Sequence, residues 1–388
     1  MKRIASIDIF RALTMLLMIF VNDFAGMTGI PHWMGHGATE EDMLGFSDLV
    51  FPFFLFCVGL SIPYAIGARF NKGQTHMQIV GHAVLRSLAL VVMGLFSMNY
   101  ASVEGGLSRP VQVLLSIAGF FLIWNDYPRR KDGKRPVWVM VLQALGIVLL
   151  ASLVIYKDIH GMPFRHGWWG ILGLIGWAYL PCALAYVGLR GDFNKMWIFW
   201  LFTLLLCLLN STKAIPEDYS SRALILGFWP GGWTHPAICA SGVFASMLVI
   251  RYGDRPQELK YLFVFYAIQM VIFGWICHRF WILSKNLATP SWMFYSVAAA
   301  VVFFGLLWWV ADVKGHMRWA RPVSPAGTAT LTCFMLPSIW YAVQQLLGLS
   351  WPSVLTNGIP GLLKALGFSF VIIGLTWCFT KLGLKLKV

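Results

Sequence analysis

Two histidines and four carboxylates are concentrated in one short stretch near the beginning of the chain. These residues are His32, His36, Glu40, Glu41, Asp42 and Asp48. Histidine exchanges a proton near neutral pH, and a neighbouring carboxylate can orient its ring or hold a substrate ammonium group. Several glycines in the same stretch allow the backbone to approach a ligand closely. The stretch therefore predicts an acid–base site, and either histidine could be the base.

Metal and thiol chemistry are not indicated by the sequence. The two histidines have the spacing His-x3-His, which zinc sites use, but no third ligand accompanies them. We therefore predict that the site binds no metal. The seven cysteines all fall within apolar segments, and none forms a Cys-x2-Cys pair, so we interpret them as packing residues.

Polar side chains also occur inside apolar segments, where their cost suggests a function. Asp8 and Arg11 are three residues apart, so they share a helix face and can pair. The pair either locks the end of the first helix or leaves Arg11 available to a phosphate group. Arg86, in the third segment, could join Arg11 at such an anion site. Asn22 lies ~16 Å beyond Arg11 along the first helix and could orient a substrate or a histidine.

The composition is that of an integral membrane protein. Hydrophobic residues make up 58% of the 388 residues and charged residues 12%, about half the charged fraction of a soluble domain. Apolar runs of ~20 residues, long enough to cross a bilayer as helices, recur along the chain. We predict an all-α, polytopic membrane protein with about twelve transmembrane helices (10–12), forming a single domain over residues 1–388. The predicted segments are 6–26, 46–68, 78–100, 108–125, 137–156, 167–188, 195–210, 233–250, 259–280, 291–312, 326–348 and 359–380.

The distribution of basic residues predicts the orientation in the membrane. The net charge of +14 would suit a nucleic-acid-binding protein, but Lys and Arg occur in short clusters between apolar segments. With the N-terminus inside, 20 of the 30 basic residues fall in cytoplasmic loops and 7 in outer loops. We therefore predict that both termini are cytoplasmic and that nucleic acid is not a partner. The two histidines would then lie outside, opposite Arg11 and Arg86.

Several segments, taken in order, resemble the transmembrane acyltransferase family that contains heparan-α-glucosaminide N-acetyltransferase. The first is Ser-Ile-Asp-Ile-Phe-Arg-Ala-Leu at 6–13, and the glycine-rich loop that ends in His36 also matches. The other matching segments are 18–23, 48–56 followed by Gly59, 86–88, 285–287 and 312–315. The resemblance extends from the first helix to beyond residue 314.

The resemblance implies an acetyl-CoA-dependent N-acetyltransferase. Acetyl-CoA would bind as a co-substrate from the cytoplasm, and a glucosamine-like amino sugar would be acetylated on the far side. By order and context, the family's catalytic histidine and asparagine correspond to His36 and Asn22, and we add Asp48 as a catalytic residue. His32 remains a rival because the segment from His36 to Asp48 is slightly longer here. We assign acetyl-CoA binding to Asp8, Arg11 and Arg86, and acceptor binding to His32, Glu40, Lys285 and Asn286.

Departures from the heparan-acting branch point to the NagX-like bacterial branch. Leu114, Leu115 and Ser116 stand where that branch has Leu-Gln-Arg, and segment 137–188 looks like an additional helix pair. We therefore expect a bacterial inner (plasma) membrane protein, and the family implies a homodimer. Two other functions stay open: a transporter of amino sugars or their derivatives, and an O-acyltransferase of cell-surface glycans. A transporter is expected to contain internal repeats or paired broken helices, and neither is evident.

Overall fold

The computed structural model describes residues 4–103, 106–128, 136–212 and 229–388, which are organised almost entirely as helices. The α-helices in this part of the chain are α1 (Ala5–Phe24), α2 (Phe46–Asn71), α3 (His76–Met98), α4 (Arg109–Trp124), α5 (Val137–Ile159), α6 (Gly170–Gly188), α7 (Phe193–Ser211), α8 (Thr234–Tyr252), α9 (Pro256–His278), α10 (Pro290–Trp308), α11 (Ser324–Thr328), α12 (Thr330–Leu346) and α13 (Gly358–Lys381). Shorter helical turns lie at His32–Met34, Trp309–Val313, Arg318–Val323 and Ser353–Thr356. The described residues contain no β-strand, so the predicted all-α class is confirmed.

Each of the twelve predicted segments corresponds to a helix or to a pair of helices. Within the described ranges, ten helices are long and apolar enough to cross a membrane. Helix α4 is also apolar but has only 16 residues. The predicted segment 326–348 begins in one helical piece, Arg318–Thr328, and continues in a second, Thr330–Leu346. The two pieces meet at a bend of 75°. The polytopic membrane fold is confirmed, and the bend was not predicted.

Helices α2 and α8 form the centre of the bundle. In the most apolar stretch of α8, 83% of the residues are buried within the protein, against 22% in α5, so α5 lies at the periphery. Gly59 and Gly242 allow the backbones of α2 and α8 to touch, because a Cβ on either glycine would overlap a carbonyl oxygen of the other helix. Small residues are typical of such crossings, since membrane helices associate through close packing.

Helix α1 runs beside α2 and connects the two ends of the bundle. The carboxylate of Asp312 accepts hydrogen bonds from the backbone N–H groups of Ala5 (2.8 Å) and Ser6 (3.0 Å), which lack partners within the helix. This contact fixes where α1 begins. Ile4 and the segment 385–388 line one cavity, so α1 begins and α13 ends at the same end of the bundle.

The orientation of the bundle in the membrane stays a prediction. The common location of the start of α1 and the end of α13 is compatible with two termini on one side. Several basic residues on which the prediction depends lie outside the described residues: Lys2, Arg3, Arg129, Arg130, Lys131, Lys134, Arg135, Lys213 and Arg222.

Candidate active site

The loop between α1 and α2 (residues 25–45) folds back onto the first turn of α2. Gly45 immediately precedes that helix and lies against Gly35, and a Cβ on Gly45 would overlap the carbonyl oxygen of Gly35. Only glycine permits this approach of two backbone segments. The contact brings His36 next to the first turn of α2, where Asp48 is located.

His36 and Asp48 form a histidine–carboxylate pair. His36 Nδ1 lies 2.7 Å from Asp48 Oδ1. The side chain of Asp48 is 3% exposed, whereas that of His36 is 36% exposed. Asp48 Oδ2 accepts hydrogen bonds from the backbone N–H groups of Gly37 (3.0 Å) and Gly45 (3.3 Å). The carboxylate therefore holds the proton of the imidazole on Nδ1, which leaves the Nε2 lone pair of His36 able to accept another proton.

Asp48 lies in the first turn of α2, which begins where the predicted segment 46–68 begins. The helix begins at Phe46 with Gly45 as its N-cap, so Asp48 is the third residue of the helix. The Asp48 carboxylate binds the N-cap N–H group from this position, as the acidic residue of a capping box does.

The loop before α10 brings a cation and an amide to the pair. Lys285 Nζ lies 3.3 Å from His36 Nδ1 and 3.9 Å from Asp48 Oδ1. Burial lowers the pKa of Lys285, and the negative charge of Asp48 partly offsets this effect. Asn286 Nδ2 donates to the carbonyl oxygen of Gly37 at 3.4 Å. Both residues that sequence analysis selected in this distant loop therefore lie beside His36.

His32, the rival base, occupies a more open environment. His32 Nε2 lies 2.5 Å from Glu41 Oε1, and the two side chains are 72% and 34% exposed. This hydrogen bond lowers the pKa of Glu41. Glu40, which we predicted to bind the acceptor, is exposed, and no contact between it and either histidine is found in the described structure. The carboxylate that pairs is the adjacent one, Glu41, which the sequence pattern could not distinguish from Glu40.

Asp42 joins the same loop to α9. Its carboxylate lies 2.8 Å from His278 Nε2 and accepts a 2.8 Å hydrogen bond from the backbone N–H of Leu283. The hydrogen bond from Leu283 and the contact with His278 lower the pKa of Asp42. No sequence pattern indicates a role for His278, which is 236 residues from Asp42 and lies in no distinctive local motif.

A cavity of about 300 Å³ lies beside the two histidines, and we name it the histidine cavity. His32 and His36 line it together with Ser47 of α2 and Val21 of α1. Asn22 is exposed and does not belong to this lining, and no hydrogen bond from it to His36 is found among the described residues. The structure thus brings His36, but not Asn22, to the cavity, and the catalytic role of Asn22 stays a prediction.

The next residue, Asp23, makes the contacts that anchor this part of α1. Asp23 Oδ2 lies 2.6 Å from Lys364 Nζ, and the two side chains are only 4% and 8% exposed. The hydroxyl of Tyr341 donates a 2.7 Å hydrogen bond to Asp23 Oδ1. These contacts bind α1 to α12 and α13. The signal in the sequence was the charge of Lys364 inside an apolar segment, but nothing in the sequence identified its partner.

A second cavity, of about 530 Å³, lies towards the opposite end of α1, and we name it the arginine cavity. Arg11 and Arg86 both line it. One guanidinium nitrogen of Arg11 lies 3.2 Å from Asp8 Oδ1 and 3.3 Å from the carbonyl oxygen of Gly327. The other donates a 2.5 Å hydrogen bond to Ser61 Oγ. The ion pair predicted between Asp8 and Arg11 is thus found, and Arg86 shares its cavity.

The arginine cavity also contains polar groups that lack partners. Arg86 lies over the ring of Tyr179, 5.0 Å from its centroid, but its Nε is buried with no hydrogen-bond partner in the described structure. The buried hydroxyl of Tyr64, which also lines the cavity, has no partner there either. Buried polar groups normally have hydrogen-bond partners. The positive charges of Arg11 and Arg86 in the lining favour an anionic ligand in this cavity.

The two cavities approach each other along α2. Ser47 lines the histidine cavity and Phe54 lines the arginine cavity. Seven residues of helix separate them, which corresponds to about 10 Å. An apolar cluster that includes Met18 and Val50 lies in this region, with Phe54 packed against it. A ligand that extends beyond the arginine cavity would therefore meet apolar side chains before the histidines.

Comparison with known proteins gives a consistent assignment. A family model described as a domain of unknown function (DUF5009) matches residues 3–174. Heparan-alpha-glucosaminide N-acetyltransferase of Mus musculus is 33% identical over 351 residues, covering 81% of this chain but 50% of that protein. The Homo sapiens protein of the same name is 32% identical over 97 residues, which are 25% of this chain and 14% of that protein. The chain thus spans at most about half the length of these curated relatives. These similarities support membership of the acyltransferase family that contains heparan-alpha-glucosaminide N-acetyltransferase.

Proposed function

We propose that this protein is a transmembrane N-acetyltransferase. It binds acetyl-CoA in the arginine cavity and acetylates the amine of a glucosamine-like amino sugar in the histidine cavity. The observation that carries the proposal is the pair of His36 with the buried Asp48 at one cavity, towards the opposite end of α1 from a cavity lined by Arg11 and Arg86. The name of the mouse and human relatives supports the type of acceptor.

His36 acts as the general base in this proposal. Asp48 accepts the Nδ1–H of His36, so Nε2 carries the lone pair and takes a proton from the acceptor amine. Acetyl-CoA supplies the acetyl group in activated form, as a thioester. The amine nitrogen forms the new bond to the acetyl carbon, the carbon–sulfur bond breaks, and the thiol leaves with a proton.

Lys285 supplies positive charge next to the base. Its ammonium group lies 3.3 Å from the His36 ring, where it can stabilise the negative charge that develops on the acetyl oxygen. Its charge also balances that of Asp48, 3.9 Å away. Because burial lowers the pKa of Lys285, its ammonium group loses a proton at a lower pH than that of an exposed lysine.

Arg11, Arg86 and Tyr64 hold the donor at the other cavity. Their N–H and O–H groups suit phosphate oxygens, and arginine forms strong hydrogen bonds to such anions. With this cavity on the cytoplasmic side, the donor enters from the cytoplasm and its pantetheine arm crosses the apolar cluster towards His36. Ser47 and Phe54, which line the two cavities, are ~10 Å apart along α2.

The cellular setting belongs to the same proposal. We propose a protein of the NagX-like bacterial branch in the inner membrane, organised as a homodimer. Size-exclusion chromatography with light scattering on detergent-solubilised protein tests the dimer. A monomeric mass in several detergents would contradict it.

Turnover of acetyl-CoA by the purified protein tests the proposed function. We expect the release of free thiol to depend on glucosamine, and mass spectrometry should identify an amide product. His36→Ala should lower kcat/KM by roughly 10²–10⁴-fold, the usual contribution of a general base. His32→Ala is the matched control and should retain most activity, because His32 is 72% exposed and pairs with the partly exposed Glu41. Full activity of His36→Ala would refute the site, and an ester product would refute N-acetylation.

A further inference from the structure

The segment that follows α13, residues 382–388, forms a strap across the end of α4. The backbone N–H of Lys385 donates to the Asn125 side chain at 2.7 Å, and the backbone N–H of Lys387 donates to the carbonyl oxygen of Trp124 at 2.8 Å. The backbone N–H of Asp126 donates a 2.8 Å hydrogen bond to the Lys385 carbonyl oxygen. These reciprocal bonds hold the strap in one extended conformation.

The strap is also fixed from the side of α12. Leu386 is 3% exposed, and its N–H donates a 2.9 Å hydrogen bond to Thr332 Oγ1. In an extended segment, alternate side chains point to opposite faces. With Leu386 held in the core, Lys385 and Lys387 share the other face. Both lysines belong to the lining of the arginine cavity.

The two lysines differ in their partners. Lys387 Nζ lies 3.1 Å from both carboxylate oxygens of Asp126, so its charge is already balanced. Lys385 is half-buried, and no acceptor for its ammonium group is found in the described residues. A positive charge in the lining of a cavity that also contains Arg86 favours an anion there.

The strap lies where the arginine cavity meets solvent. The side chain of Lys387 is 65% exposed, whereas Phe54, at the other extreme of the lining, packs against the apolar cluster near the histidines. A donor whose acetyl end points towards His36 must therefore leave its nucleotide end near the strap. In CoA, the group at that end is the ribose carrying a 3′-phosphate.

We propose that Lys385 forms a phosphate subsite that binds the ribose 3′-phosphate of the acyl donor. The inference rests on the proposed function and assigns the site that distinguishes CoA from its 3′-dephospho form. Lys385 acts as a point charge there, so arginine can replace it. The subsite contributes to the affinity for the donor and not to the chemical step at His36.

Binding of CoA and of 3′-dephospho-CoA to the full-length protein in detergent, measured by calorimetry, tests the subsite. We expect wild type to bind CoA at least roughly ten-fold more tightly than the dephospho form, as a charge-assisted hydrogen bond would give. Lys385→Ala should weaken CoA binding by that factor and leave dephospho-CoA binding unchanged. Lys385→Arg should restore the preference. Lys381→Ala is the matched control, because Lys381 ends α13 over the Trp377 ring and is not part of the cavity lining.

The outcomes separate this inference from the proposed function. Equal binding of both ligands by wild type, or an unchanged preference in Lys385→Ala, would overturn the subsite while acetyl transfer stands. An equal loss of both ligands in Lys385→Ala would also overturn it, because the effect would then be on the fold of the strap. Failure of wild type to bind CoA in either form would overturn the proposed function as well.

Discussion

Replacement of Asp48 by asparagine changes one atom and should reverse the hydrogen-bonding direction at His36. Asp48 Oδ2 accepts two backbone hydrogen bonds, from Gly37 and Gly45, so an asparagine would keep its oxygen there. Its NH2 group would then occupy the position of Oδ1, 2.7 Å from His36 Nδ1. A donor at that position favours the tautomer in which Nδ1 is the acceptor and Nε2 carries the proton.

The size of the effect follows from this change of tautomer. With Nε2 protonated, His36 cannot take a proton from the acceptor amine, and the contribution of general base catalysis is lost. That contribution is typically 10²–10⁴-fold, or about 3–5 kcal/mol of activation free energy. The loss should appear in kcat, while KM for acetyl-CoA should change little, because Asp48 is not part of the arginine cavity.

Initial rates of thiol release at saturating and limiting acetyl-CoA separate the effect on kcat from the effect on KM. Asp42→Asn is the matched control, since it removes a carboxylate of the same loop that pairs with His278 and not with His36. We expect Asp42→Asn to retain activity within a few-fold of wild type. The proposed role of Asp48 is refuted if Asp48→Asn keeps more than about a tenth of wild-type kcat, or if both variants lose activity equally. In either case Asp48 does not set the tautomer that His36 needs to act as a general base.

Three further changes test other parts of the site. Burial lowers the pKa of Lys285, so activity should be lost on the alkaline side at a lower pH than an ordinary lysine would give. Lys285→Arg should move this loss to higher pH, because arginine stays protonated. An unchanged pH–rate profile in the variant would exclude the ammonium group from the reaction. Gly45→Ala should lower the free energy of unfolding by ~1–3 kcal/mol and reduce kcat, because the new Cβ overlaps the Gly35 carbonyl oxygen. Asp23→Asn should lower the free energy of unfolding, measured by denaturant titration, by ~3–5 kcal/mol, because it leaves Lys364 buried and unpaired. The double variant with Lys364→Met should recover most of this loss. No recovery would contradict the pairing.

The fold could be predicted because it depends on a property of each segment alone. Apolar length predicted all twelve helical segments, including α5 and α7, of whose most apolar stretches only 22% and 33% are buried within the protein. The bend between α11 and α12 escaped prediction because hydropathy averages over a segment and does not report its direction. Hydropathy also does not report the N-cap of α2, because Gly45 takes that position while packed against Gly35.

The candidate site could be predicted where one short segment carries both partners. His36 and Asp48 are twelve residues apart, and Asp8 and Arg11 are three apart, so the distance along the chain limited the choices. The partners of Asp42 and Asp23 come from α9 and α13, and no local pattern indicates them. The sequence indicates only that Lys385 is one of the 20 basic residues of the predicted cytoplasmic loops, because its access to the arginine cavity depends on the fold of the strap.

If the proposed function is correct, the apolar cluster between the two cavities would let one protein join groups from opposite sides of the membrane without forming a channel. Met18 and Val50 of the cluster are almost completely buried, and Phe54 packs against them. Such a layer excludes water and ions, because an unpaired charge in an apolar environment costs several kcal/mol. The nucleotide phosphates would remain on the arginine side for the same reason, while an uncharged acetyl group on a thin, flexible arm could cross. The proposed reaction therefore needs cationic groups at the arginine cavity and a base beyond the cluster, and the positions of Arg11 and His36 agree with this arrangement.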